Sequence, residues 1–150
     1  MARYVTTQPT SWSPDTAYSW MADLRHLAVW DPSITSVDQV EGDGPAVGAE
    51  YDVTLKAAGG ERTMRYRIEE MDQGARTLLA RSDTPVLTSY DRISVAEDGG
   101  RTQVTYDADL VLKGPLKLGD PVLKATFGKM GDKAADGLRS ELAKDAPPAG

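Results

Sequence analysis

The sequence has no cysteine and only one histidine, His26. The first absence excludes a disulfide framework, thiolate catalysis and cysteine-ligated zinc or iron–sulfur centres. The second would leave a zinc site dependent mostly on carboxylates, so no metal site is expected. Positive charge is also scarce: Lys+Arg 17 stand against Asp+Glu 23, a formal net charge of −6. That sign is wrong for a phosphate-binding surface, and the basic residues are dispersed, so nucleic acid is not an expected partner. No long uninterrupted apolar run is present, so no membrane span is expected. The opening MARYVTTQP lacks a basic-then-apolar signal segment and alternates like a strand. A soluble, cytoplasmic protein is the expectation. EGDG (41–44) and EDGG (97–100) lack the ligand series and distal glutamate of a calcium loop and read as turns. No cofactor is expected, and no oligomeric state can be read.

What is present begins with size. A chain of 150 residues matches one domain and can bury roughly two-thirds of the surface its unfolded form exposes. We expect a single domain over 1–145 and a flexible tail over 146–150, because KDAPPAG cannot continue a helix. SPDTAYSWMAD announces a first helix: Ser13 can cap, Pro14 suits the first helical position, and Asp15 favours the positive end of the helix dipole. Leu24, Leu27 and Ala28 suggest a second short helix that stops before Pro32, since Asp31 precedes a proline.

Strands follow, read from a period of two. Tyr51, Val53 and Leu55 alternate with Asp52, Thr54 and Lys56; Met64, Tyr66 and Ile68 alternate with Arg65, Arg67 and Glu69. Val104, Tyr106, Ala108, Leu110 and Leu112 form the apolar phase of a long strand near the end. In VLTSYDRISVAE the apolar set shifts phase between Val86 and Ile93, which suggests a bulge or bend. Glycine-rich turns separate the segments and favour a meander of antiparallel hairpins. Asp120 and Pro121 start the longest helix, whose Leu123, Phe127, Met130, Ala134, Leu138 and Leu142 descend one face. One antiparallel sheet cannot leave its apolar face bare, so it must curl around that helix.

The chain resembles the START/polyketide-cyclase superfamily (SRPBCC), in its polyketide cyclase/dehydrase-like branch. The features that carry this are SPDTAYSWMADLRHLAVWDPSI with its tryptophan-x-proline, the glycine of VGAEYDVTL, the hairpin AEDGGRTQVTYDADL, and LKGPLKLGDP before the last helix. The resemblance implies an α+β helix-grip fold: a curved antiparallel sheet of about seven strands wrapped around a long C-terminal helix, with two short helices after the first strand. It also implies a cavity for a hydrophobic small molecule. Functions vary widely on this fold.

Within that frame, expected ligand contacts are Trp30, Tyr51, Met64, Tyr66, Tyr90, Tyr106, Phe127 and Met130. Trp30 reads first as an apolar plug between short helix and sheet, and second as a contact at a pocket mouth. The tyrosines stand out because the chain has Tyr 6 and Phe 1; buried hydroxyls need partners, which water or a ligand in a cavity can supply. Gly128, Gly131 and Gly137 of the last helix open cavity volume, allow close contact between helix and strand backbones, or mark a break in the helix near Gly128. His26 reads as structural, because nothing places a catalytic partner beside it. No catalytic residue is assigned. The leading expectation is a binder of a polyketide, lipid, isoprenoid or aromatic metabolite. The alternatives are a polyketide aromatase/cyclase or dehydratase, and an accessory module for protein interaction or lipid delivery.

Overall fold

The computed structural model describes residues 2–57, 60–115 and 120–147, with backbone alone at 57 and 120–123. The chain runs β1 (Ala2–Thr10), α1 (Pro14–Ala22), a 3-10 turn (Leu24–His26), the single-turn α2 (Leu27–Trp30), β2 (Ile34–Glu41), β3 (Glu50–Ala57), β4 (Gly60–Asp72), β5 (Thr77–Asp83), β6 (Leu87–Asp98), β7 (Arg101–Leu112) and α3 (Asp120–Leu142). The strands form one seven-stranded antiparallel sheet in the order β1-β7-β6-β5-β4-β3-β2. Strands β2 to β7 are therefore a meander, and only β1 leaves chain order to pair with β7. This is the helix-grip fold.

Local chemistry sets the turns. Ser13 caps α1, its hydroxyl accepting from the Thr16 N–H at 3.2 Å, with Pro14 next in line and Asp15 in the first turn. The α2 helix stops at Asp31, which adopts extended φ −99 and ψ 111, as the residue before a proline must. Between β6 and β7 a two-residue turn joins Asp98 to Arg101. Its Gly99 and Gly100 have φ 60 and 83, the left-handed conformations that a tight hairpin requires.

The apolar phases meet on the concave face. Tyr51, Val53, Ile68, Leu78, Ile93 and Val104 are buried there, and Leu138 and Leu142 of α3 are buried with them. The C-terminal end of α3 is tied down by two bonds. Thr10 Oγ1 donates to the Leu142 carbonyl and Trp12 Nε1 to that of Lys144, both at 2.8 Å.

Three expectations need comment. The β6 segment has no bulge: it pairs with β7 without a break from Leu87 to Asp98, and Val86 simply lies outside the strand. The register shifts are instead in β2 and β4. The helix α3 passes through Gly128 unbroken. There, Gly131 and Gly137 mark close contact. A Cβ at Gly131 would meet the Tyr4 ring, and one at Gly137 the Trp30 carbonyl oxygen. The side chains of Asp120, Pro121 and Leu123, most of the expected tail, and residues 116–119 lie outside what is described.

Candidate functional site

Along each inner phase, packing is tight at one end and loosens toward the other. Tyr51 and Val53 are buried but Leu55 is half-buried; Ile68 and Tyr66 are buried but Met64 is half-buried; Val104 is buried but Tyr106, Ala108 and Leu110 are half-buried. The helix repeats the gradient, with Leu138 and Leu142 buried and Phe127 and Met130 half-buried. Small residues at Ala108, Gly131, Ala134 and Ala135 leave space at the loose end. The result is a partly enclosed cavity of about 480 Å³ between sheet and helix. This lies within the range of small-molecule sites. Its floor is β3, β4, β6, β7 and β1, its roof the middle of α3, and its wall the stretch from Leu27 through Trp30 and Asp31 to Ile34.

Most of the lining is apolar, but β6 contributes Ser89 and Asp91. Tyr66 donates its hydroxyl to Ser89 Oγ at 2.9 Å, and Ser89 Oγ donates to Asp91 Oδ1 at 3.0 Å. The Tyr106 hydroxyl donates to Asp91 Oδ2. A relay of hydroxyls thus ends on one carboxylate. Burial pushes Asp91 up to about 6, against the pull of the Tyr106 and Ser89 hydrogen bonds. Burial likewise raises Tyr66 and Tyr106, so both stay neutral donors. On the wall, Asp31 Oδ1 accepts from the Ser33 N–H at 2.9 Å and the Ser33 hydroxyl at 2.7 Å. Burial raises Asp31 too, opposed by those bonds. A carboxyl group titrating near neutrality in an apolar cavity can accept a proton from a bound molecule and return it.

Trp30, Met64, Tyr66, Tyr106, Phe127 and Met130 line this cavity. Trp30 is also a core residue, 4% exposed, set edge-on to Tyr106 with ring centroids 5.1 Å apart. Tyr51 and Tyr90 do not line it. Tyr51 points inward but is wholly buried, its hydroxyl without a partner among the described residues. Tyr90 lies on the convex face, where the Arg81 and Arg92 guanidinium groups sit 5.6 and 5.7 Å from its ring centroid. The reason is phase: with Ile93 and Val95 inward, Tyr90 must point outward. The residues that sequence reasoning missed are Ser89, Asp91, Asp31 and Ser33. For the first two a signal existed, since counting back by two from Ile93 puts both on the inner face. His26 lies outside the cavity lining. Its Nδ1–H donates to the Trp20 carbonyl at 2.7 Å, and its ring stacks on Trp20 at 4.4 Å between centroids.

Comparison with known proteins agrees with this architecture. The family described as polyketide cyclase / dehydrase and lipid transport matches residues 1–143. No curated protein matches the sequence. Among solved structures, the Zhui aromatase/cyclase from Streptomyces sp. R1128 is 18% identical with a TM-score of 0.74, over 93% of this chain and 92% of that one. A START superfamily protein from Mycobacterium smegmatis is 16% identical with a TM-score of 0.75, over 95% and 97%. Major latex-like protein 151 from Panax ginseng is 12% identical with a TM-score of 0.70, over 95% and 98%. At such identities these likenesses establish the shared fold.

Proposed function

The chain belongs to the polyketide cyclase / dehydrase and lipid transport family, and from that premise we propose that it binds a hydrophobic or amphipathic small molecule (a polyketide, lipid, isoprenoid or aromatic metabolite) between α3 and the sheet. The observation that carries this reading is the cavity of about 480 Å³, apolar over most of its lining and polar at one patch. Apolar walls supply affinity by removing ligand surface from water, at about 25 cal/mol per Å². The Ser89–Asp91–Tyr106 patch orients the ligand's polar end. Within this reading the protein works in the cytoplasm as one domain over 1–145, with 146–150 as a tail.

Native mass spectrometry of the purified protein, followed by a thermal-shift screen of polycyclic aromatics, isoprenoids and lipids, tests it. A ligand at one hundred times its Kd stabilises the fold by about 2.7 kcal/mol, enough to move the midpoint by several degrees. The expected result is a shift confined to one chemical class. No bound mass and no shift with any class would count against binding.

One observation favours a second reading, that of an enzyme acting on a poly-β-ketone. Asp91 can take the proton between two carbonyls, while a tyrosine hydroxyl beside it stabilises the resulting enolate oxygen. The aromatase/cyclase from Streptomyces sp. R1128 shares this fold. Turnover of a β-ketone that is lost in Asp91→Asn would support it, and turnover unchanged in that variant would exclude this mechanism.

A further inference from the structure

We infer that the cavity selects a cationic ligand, an amine carried on a ring-bearing apolar body, and discriminates against carboxylates. This rests on the binding reading above and specifies the ligand's class.

Asp91 on β6 and Asp31 at the exit of α2 line the same cavity. They are near enough for the charge on Asp31 to act on Asp91. Neither is in an ion pair among the described residues. Among the described residues, the one basic side chain lining the cavity is Lys56, exposed at the end of β3. Several acids elsewhere in the chain are paired. Asp107 meets Arg3 at 2.7 Å, while Asp23 meets Arg25 and Asp52 meets Arg65, both at 2.8 Å. Buried charge is ordinarily paired, because an uncompensated charge away from bulk water is unfavourable. Both cavity carboxylates lack such a pairing among the described residues.

Donor and acceptor counts point the same way. The hydroxyl protons of Tyr66, Ser89 and Tyr106 are already committed to Ser89 and Asp91. Both hydrogen bonds from Ser33 fall on Asp31 Oδ1. A ligand carboxylate reaching this patch meets like charge and committed donors. An ammonium group brings three donors to carboxylates with spare lone pairs; Asp31 Oδ2 has no hydrogen bond among the described residues. Charge-assisted bonds of this kind are roughly twice as strong as neutral ones. Trp30, Tyr66 and Tyr106 add aromatic rings beside the same patch, and ring faces attract cations.

The test compares three probes on one skeleton: 2-(2-naphthyl)ethylamine, 2-(2-naphthyl)ethanol and 2-naphthylacetate. Each is titrated calorimetrically into the wild-type protein at about pH 8, where Asp91 is ionised. The amine is expected to bind about tenfold more tightly than the alcohol, and the carboxylate more weakly than either. Asp91→Asn combined with Asp31→Asn should bring the three affinities together. A carboxylate that binds as tightly as the amine in the wild type overturns the inference and leaves the binding reading standing. Equal affinity of amine and alcohol does the same. If none of the three binds, the charge preference falls, while the binding reading is decided separately by the ligand screen above.

Discussion

Burial raises the Asp91 carboxyl from its ordinary 3.8 to about 6, so the folded state favours the protonated group. Between about pH 4 and about pH 6 the folded chain holds this proton while the unfolded chain has lost it. The contribution of Asp91 to stability therefore falls as pH rises through that window. Above it an unfavourable contribution of roughly 2–3 kcal/mol is fully present. Asp23, Asp52 and Asp107, held down by hydrogen bonds from arginines, titrate in the opposite sense. They are common to wild type and variant, so a difference measurement isolates Asp91. We expect Asp91→Asn to be more stable than wild type above about pH 6, with the gap narrowing toward pH 4, in urea unfolding across a pH series. A gap that widens as the pH falls would contradict this. The Tyr106 hydroxyl draws Asp91 downward. Tyr106→Phe should therefore move the Asp91 titration above about 6 in carboxyl carbon-13 spectra; a downward or absent shift would show that the bond does not form. The same residue explains what the sequence concealed. A serine and an aspartate at inward positions of β6 look like a break in apolar alternation, so Tyr90 took their place in the sequence reading. The polar patch disrupts the pattern by which a strand's inner face is recognised.

At the scale of elements, the strands and helices were legible because each depends on local periodicity. Ser13-Pro14 starts α1, Asp31 before Pro32 ends α2, and period-two runs give β3, β4 and β7. The glycines of α3 were legible only as alternatives, since the choice among them lies in contacts distant along the chain. Gly137 passes the Trp30 carbonyl and Gly131 the Tyr4 ring, whereas a Cβ at Gly128 would meet nothing within 4 Å. Opposite outcomes follow for the same substitution. Gly128→Ala should stabilise by about 0.5–1 kcal/mol through helix propensity alone. Gly137→Ala should destabilise by about 1–3 kcal/mol or more, because backbone must shift. Chemical denaturation of both variants checks the pair, and equal effects would mean that α3 does not rest on the Trp-Asp-Pro junction. That junction is thus first a seat for the long helix, and Trp30 reaches the cavity from it.

At the scale of the molecule, curvature was legible from the apolar phases, whereas vacancy was legible only through the family resemblance. An amphipathic helix and a one-sided sheet require one another, and that much follows from the apolar phases. Whether their side chains fill the space between them depends on volumes summed across six elements. Here the small side chains Ala108, Gly131, Ala134 and Ala135 leave it open, with Leu55, Met64 and Leu110 also lining it. The central claim is that this space is a ligand chamber. The direct test is calorimetric titration of a naphthalene-based probe into wild type and Ala108→Phe at several temperatures, with circular dichroism confirming that the variant folds. The account predicts saturable binding with a negative heat-capacity change in the wild type, and loss of binding when the phenylalanine occupies the chamber. Binding of equal strength in both proteins would place the ligand elsewhere and contradict it.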